Sequence, residues 1–195
     1  MSAVVDDKPD AQVLRFHCDW DIGIGGSIWT SGQILAEHLQ SQQARYRALF
    51  QGKNVLELGS GTGYVGLMTA RNVALNASVL RPHVNVHVTE LAWGSTVHET
   101  ALLEKLGDDN THIDVILGTD VAYLRELYDP LLHTLRHVAS QHTLVLLGLN
   151  RADTDISFFQ RLELDGFEYY KISEDQLPTE YHGKDFGLFE IRRRR

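Results

Sequence analysis

The sequence predicts an α/β protein with a mostly parallel sheet that ends in an antiparallel pair of strands. Apolar, strand-like segments at 54–59, 112–119 and 142–149 alternate with segments of helical periodicity. Such alternation is typical of a parallel sheet covered by helices on both faces. The last two strand-like segments, "FEYYKIS" and "FGLFEIR", have no helix between them. We therefore expect these two strands to pair antiparallel.

Three helices are predicted from capping signals and apolar stripes. Thr30 and Gln33 have the spacing of a capping box at the start of the first helix. Its apolar side is formed by Ile34, Leu35, His38 and Leu39. A later helix starts with an Asp-Pro pair and has one face formed by Leu131, Leu132, Leu135 and Val138. The segment "DTDISFFQRLELDG" predicts a capped helix that ends at Gly166.

Composition favours one soluble domain, residues 15–195, behind a loose leader, residues 1–14. The chain has 195 residues, 43% of them hydrophobic, and a formal net charge of −8. This negative charge argues against a nucleic-acid partner. The single cysteine, Cys18, excludes an intrachain disulfide and a thiolate metal cluster. Without a signal-peptide or membrane-spanning pattern, we expect a location in the cytoplasm and also in the nucleus.

The segment "VLELGSGTGYVGL" at 55–67 leads a buried strand into a glycine-rich turn, and then into a helix predicted to extend to Ala74. Such a turn brings backbone N–H groups and a helix N-terminus to one point. Gly61, Gly63 and Gly66 match the dinucleotide pattern literally, but the register aligned with the strand has Tyr64 at the third glycine. A nicotinamide-dependent oxidoreductase is therefore a weak alternative, and a tight structural loop is another.

Glu57, at the end of the strand before this turn, favours a different ligand. A carboxylate is unfavourable beside a pyrophosphate, whereas it attracts a cation. A sulfonium or an α-amino group would suit this position.

With these residues in view, the chain resembles methyltransferase family 16, the methyltransferase-like 21 group. Four stretches carry the resemblance, in the family's order and over about residues 15–160: "IWTSGQILAEHL", "VLELGSGTGYVGL", "ELAWG" and "DVILGTDVAYLRELYDPLLHTLRHV". Members are seven-strand, S-adenosylmethionine-dependent protein-lysine methyltransferases. The resemblance implies a Rossmann-like class I methyltransferase sheet, S-adenosylmethionine as cofactor and methyl transfer to a lysine of a protein substrate.

The resemblance also implies roles for particular residues. Cofactor-binding positions are Trp29, Gly59, Ser60, Gly61, Trp93 and Thr119, joined by Glu57 from the argument above. Asp120 would position the methyl-accepting amine or act as its base, and Tyr123 would line its channel. From the residues alone, the two tryptophans could also be core aromatics, and Asp120 could cap the next helix.

One departure from the family concerns its second strand, whose terminal acid hydrogen-bonds the cofactor ribose. At that distance from the glycine turn the chain has "MTARNVALNASV", which is no strand, so the sheet is predicted to be shortened there. Either an edge of the sheet is lost, or the strand-like segment 85–91 lies beside 54–59 and Glu90 replaces the missing acid. A shortened site also leaves open a weakly active or inactive methyltransferase-fold module that acts through protein–protein interaction.

Partners and metals complete the prediction. The family's targets include chaperones and translation factors, so the expected partner is a protein substrate, with no nucleic acid and no membrane, and the chain is expected to be a monomer. The residues "DVAY" stand in place of an N-P-P-Y type motif, which also disfavours a nucleic-acid substrate. His133 and His137 lie four residues apart on a predicted helix, but no third ligand is evident, so no metal is predicted.

Overall fold

Helices and strands alternate along the chain as its sequence predicts. The structure, a computed structural model, describes residues 26–66, 87–107 and 112–195. Its elements in chain order are α1 Thr30–Ser41, α2 Gln43–Phe50, β1 Val55–Leu58, α3 Thr96–Leu106, β2 Ile113–Thr119, α4 Tyr128–Val138, β3 Ala139–Asn150, α5 Ile156–Leu164, β4 Phe167–Lys171 and β5 Phe186–Arg193. A further helix begins at Tyr64, and its predicted continuation to Ala74 lies outside the described residues from 67 onward.

The five strands form one sheet in the order β1-β2-β3-β5-β4. β1, β2 and β3 are parallel, and β5 runs antiparallel to both β3 and β4. The predicted parallel sheet with an antiparallel C-terminal pair is therefore confirmed. β5 lies between β3 and β4, so the last strand of the chain is an inner strand of the sheet.

Both faces of the central strands are covered, which explains their nearly continuous apolar sequence. Val115 and Leu117 of β2 pack in one cluster with residues of α1 and α2, including Ile34. Ile116, between them in sequence, packs in a second cluster with α4 and α5, including Phe158. Alternate side chains of a strand point to opposite faces, so one strand serves both layers.

The start of α1 differs from the prediction. The four residues of its apolar stripe are all buried, as predicted. However, the N-cap is Trp29, without a side-chain cap. The Trp29 carbonyl accepts hydrogen bonds from the N–H groups of Gly32 (3.0 Å) and Gln33 (3.2 Å), so Thr30 is already inside the helix. The predicted capping box is therefore wrong.

The other two predicted helices have the expected apolar faces, but the predicted start of α4 at the Asp-Pro pair is wrong. The four predicted apolar residues of α4 are buried, although the helix begins at Tyr128 and so includes the Asp-Pro pair in its first turn. Asp155 caps α5 by accepting a hydrogen bond from the Ser157 N–H at 2.9 Å. Gly166 follows with φ of 84°, a conformation that glycine adopts without strain.

The strand predicted at 85–91 is wrong over the residues that the structure describes. Residues 87–91 have no strand structure, and Val88 is 93% exposed. Two contacts tie this segment and the residue after it to α3 instead: Lys105 Nζ donates to Thr89 Oγ1 at 2.9 Å, and the Ala92 N–H donates to His98 Nδ1 at 3.1 Å.

Several predictions fall on other parts of the chain. The leader 1–14 and the segment 68–79, where the family's acidic strand is expected, lie outside the described residues. Among the helices that the structure describes, none is long and apolar enough to cross a membrane.

Candidate functional site

Three loops meet at the carboxyl ends of β1 and β2, where open α/β sheets bind their ligands. A Cβ atom placed on Gly59, after β1, would lie 3.2 Å from Val121 Cγ1 and 3.5 Å from Trp93 Cζ2. Val121 follows β2, and Trp93 lies in the loop before α3. The glycine turn, the end of β2 and the loop of Trp93 are therefore in contact.

The N-terminus of α1 closes the same region from another side. A Cβ atom on Gly32 would lie 3.3 Å from Val65 Cγ2 and 3.6 Å from Thr119 Oγ1. Trp29, just before α1, is 43% exposed. This exposure argues against the alternative that Trp29 is a buried core aromatic.

The glycine turn has the backbone of a ligand cradle. Gly59, Gly61 and Gly63 have φ of 63°, 50° and 75°, values that residues with a Cβ rarely adopt. The Gly63 N–H donates to the Ser60 carbonyl at 2.6 Å and so closes the turn. Residues 59–61 are exposed, and a ligand can approach their backbone directly.

Glu57 of β1 contacts the helix that follows this turn. Its Oε2 accepts a hydrogen bond from the Gly66 N–H at 2.9 Å, and a Cβ on Gly66 would lie only 2.5 Å from that oxygen. Burial raises the pKa of Glu57 to about 7, against the opposing effect of the Gly66 hydrogen bond. A cation beside this carboxylate would favour its ionised form. The geometry thus adds a backbone partner that the sequence did not reveal.

Asp120 is the one non-glycine residue with positive φ among the described residues, at 50°. Aspartate tolerates this left-handed conformation better than most side chains, and such residues concentrate at functional sites. The Asp120 N–H donates to the Gly148 carbonyl at 2.9 Å, which anchors the backbone to β3.

The Asp120 carboxylate is held by two partners that sequence reasoning missed. The Ser31 hydroxyl donates to Oδ2, and the Asn150 N–H donates to Oδ1 at 3.2 Å. Burial raises the pKa of Asp120 above its ordinary value, partly offset by these two hydrogen bonds and reinforced by the charge of Asp153. Both contacts join residues far apart in sequence, 89 positions for Ser31 and 30 for Asn150, so no local sequence signal identifies them.

The remaining predicted site residues are Trp93, Thr119, Tyr123 and Glu90. Trp93 packs partly buried against the core and against the turn, and Thr119 lies beside α1. Tyr123 is half-buried three residues after Asp120. Glu90, by contrast, is exposed, and since residues 87–91 form no strand, the predicted position of Glu90 at the end of a strand beside β1 is wrong.

Comparisons with known proteins find relatives in sequence and in fold. The sequence model of the family described as lysine methyltransferase matches residues 8–165. Protein N-lysine methyltransferase METTL21A of Danio rerio is 32% identical over 169 residues, which cover 76% of this chain and 72% of that protein. The Mus musculus METTL21A is 31% identical and covers 93% of this chain and 84% of its own length.

A further relative and a solved structure extend the similarity. EEF1A lysine methyltransferase 3 of Mus musculus is 31% identical over 72% of this chain and 63% of its own length. The crystal structure of a ribosomal protein L11 methylase from Lactobacillus delbrueckii subsp. bulgaricus superposes with a TM-score of 0.53 at 13% identity, covering 87% of this chain and 81% of that one. At that identity, the likeness shows the fold.

Proposed function

Because this chain belongs to the lysine methyltransferase family, whose members transfer methyl groups from S-adenosylmethionine to protein lysines, we propose that its transfer site lies where β1, β2 and α1 meet. The single observation that carries this proposal is the restrained carboxylate of Asp120. It is fixed from α1 by Ser31 and from β3 by Asn150, next to the loops that contact the glycine turn.

The residues at the glycine turn fit the cofactor. S-adenosylmethionine supplies the methyl group on a sulfonium and also carries an α-amino cation. Gly59, Ser60 and Gly61 would hold its amino-acid end, since they are exposed and two of them have positive φ. Glu57 would offset the positive charge, and Trp29 and Trp93 would offer aromatic faces to the adenine.

The chain's own residues would then prepare the lysine. A lysine amine has a pKa of about 10.4, so it arrives protonated and must lose a proton before it can accept a methyl group. Asp120 is suited to attract and orient the ammonium in a partly buried site, where electrostatic interactions are stronger than in water. Both of its oxygens already accept hydrogen bonds, which favours a positioning role over that of a mobile base. Tyr123 would form one wall of the channel.

Substitution of Asp120 tests the proposal. Asp120→Asn removes the charge but retains a side chain that tolerates left-handed backbone and accepts hydrogen bonds. We expect methyl transfer to fall by about 100-fold or more, while S-adenosylhomocysteine affinity measured by calorimetric titration stays within about twofold of wild type. Asp120→Ala is less informative, because it adds backbone strain to the loss of charge.

Two results would contradict this assignment. Full transfer activity in Asp120→Asn would exclude the proposed role of the carboxylate. A cooperatively folded wild-type chain that does not bind S-adenosylhomocysteine would contradict the cofactor site and favour an interaction module. Ser31→Ala, which removes one restraint on Asp120 and keeps its charge, should give an intermediate loss of transfer with cofactor affinity unchanged.

The substrate is proposed to be a chaperone or a translation factor. One relative is named for its action on EEF1A, and the acidic net charge of −8 suits a protein with basic segments. Purified EEF1A and a chaperone, each with labelled S-adenosylmethionine, would test the two classes. Label in lysine from one of them supports the proposal, and label only in other lysate proteins contradicts it.

We also propose that the protein acts as a monomer in the cytoplasm and the nucleus. The family resemblance and the absence of a targeting pattern from the sequence support this proposal. Light scattering after size-exclusion chromatography would test the oligomeric state against the mass of 22.0 kDa. Fractionation of cells that express the chain would test its location.

A further inference from the structure

Two histidines and a glutamate converge between α3 and α4, outside the site described above. His133 Nδ1 lies 3.1 Å from Glu99 Oε1, and His137 Nδ1 lies 3.4 Å from Glu99 Oε2. The two imidazole rings stack on adjacent turns of α4 with their centroids 4.4 Å apart. Each of the three side chains has one potential ligand atom, and these three atoms lie within 4.8 Å of one another.

Glu99 is fully buried and only partly satisfied. Its Oε1 accepts hydrogen bonds from the Thr134 hydroxyl at 2.7 Å and from His133, whereas its Oε2 accepts none from the residues that the structure describes. A buried carboxylate oxygen that accepts no hydrogen bond is energetically costly, and a cation beside it would satisfy it.

We propose that Glu99, His133 and His137 bind one divalent transition-metal ion, with Zn²⁺ as the best match. Imidazole nitrogens and a carboxylate oxygen are ligands that zinc takes readily, and three protein ligands leave a position for water. Histidines at i and i+4 present their rings on one helix face, and α3 supplies the third ligand from across the helix pair. The side chain of His137 is 42% exposed, so an ion and its water have access from solvent.

Metal binding explains this arrangement better than an ion pair alone. The contacts with the two imidazoles leave the buried Oε2 without a hydrogen bond among the described residues. One dication would bind both rings and this oxygen at once.

Hydrogen bonds around Glu99 would hold it in position as a metal ligand. Thr134 Oγ1 donates to Glu99 and accepts a hydrogen bond from the Gly94 N–H at 2.9 Å. Such contacts orient metal ligands. They also connect the ion to the loop that carries Trp93, so we infer a structural role: the ion joins α3 to α4 beneath that loop.

Titration with Zn²⁺ tests the proposal in the untagged, chelator-treated chain. We expect calorimetry to find one ion per chain with micromolar or tighter affinity, and Co²⁺ to develop the stronger visible absorption of low-coordinate geometry. Affinity should fall at least about tenfold in Glu99→Gln and in the double variant His133→Asn/His137→Asn. The matched control is His112→Asn/His142→Asn, which removes two other neighbouring histidines, with rings 6.2 Å apart, and should bind as wild type does.

Melting curves of the metal-free variants establish that each is folded before it is titrated. Saturating Zn²⁺ should raise the melting temperature of the wild type by about 5 °C or more. Three results would overturn the proposal: a wild type that binds no Zn²⁺, a double variant that binds as tightly as the wild type, and a control that loses binding to the same extent. His137 is exposed and His133 is half-buried, so we expect the double variant to fold and to keep the test valid even if Glu99→Gln does not fold.

Discussion

The centre of the sheet and its β1 side are built for different tasks. β3 has 12 residues, and from 143 to 149 every one is buried. β1 has four, of which Val55 is 40% exposed and Glu57 is ionisable. Among the described residues, β1 pairs with β2 alone, whereas β3 has a partner on each side.

This difference separates folding from binding. Buried apolar side chains between two helix layers give the centre its stability, whereas the β1 side carries the glycine backbone and the carboxylate that we propose bind the cofactor. Substitutions in β3 should therefore alter the free energy of unfolding, and substitutions around the glycine turn should mainly alter cofactor affinity.

Two valines test the first half of this comparison with the same chemical change. Val145→Ala in β3, where the side chain is 0% exposed, should lower the free energy of unfolding by about 2–3 kcal/mol through lost burial and a cavity. Val55→Ala, at the 40% exposed position in β1, should cost less than about 1 kcal/mol. Urea denaturation followed by circular dichroism would measure both. Equal losses would mean that the β1 side contributes to the core as much as the centre does.

The centre of the sheet could be predicted from the sequence because the signals for its strands and for the helices that cover it are local. Periodicity and turn signals depend on residues a few positions apart, and they predicted β2, β3, α4 and α5. The segment 85–91 has the same alternation, but a strand also needs a backbone partner, which alternation cannot identify.

The candidate site could be predicted only in part, because most of its contacts join residues far apart in sequence. Family resemblance picked out Asp120 and the glycine turn, but Ser31 contacts Asp120 across 89 residues, and nothing near either residue predicts that contact. Likewise, His133 and His137 are visible as a pair, whereas Glu99 joins them only when α3 packs on α4. Chemistry that depends on tertiary contact has no local signature.

Two glycines test the binding half of the comparison. Gly59→Ala places a Cβ at 3.2 Å from Val121 and 3.5 Å from Trp93 in a left-handed backbone, so it strains the turn and presses on the Val121 side chain. We expect S-adenosylhomocysteine affinity to fall about tenfold or more, since a tenfold change needs only about 1.4 kcal/mol. Gly52→Ala is the matched control, with φ of 65° and nothing within 4 Å of the added atom. Both variants should lose similar stability, but only Gly59→Ala should lose affinity; a loss in both would point to general destabilisation.

The last prediction concerns the pH dependence set by Glu57, whose pKa burial raises from 4.5 to about 7. Between these values the folded chain holds a proton that the unfolded chain releases, so stability falls as pH rises from about 4.5 to 7. Glu57→Gln cannot lose that proton. At pH 8 it should exceed wild type in stability by about 1–2 kcal/mol, discounted for partial exposure, and at pH 4 the two should be equal.

Binding should respond to the same proton in the opposite direction. Ionised Glu57 attracts a cationic ligand, so the affinity of the wild type for the sulfonium S-adenosylmethionine, measured without a protein substrate, should rise from pH 6 to pH 8, by up to about tenfold as the carboxylate loses its proton. Glu57→Gln should show a flat profile at the lower level. If the variant kept the full pH dependence, another group would be responsible for it, and Glu57 would serve only to hold the turn through Gly66. If stability falls with pH while affinity rises, the ionised Glu57 destabilises the folded chain and strengthens ligand binding at the same time.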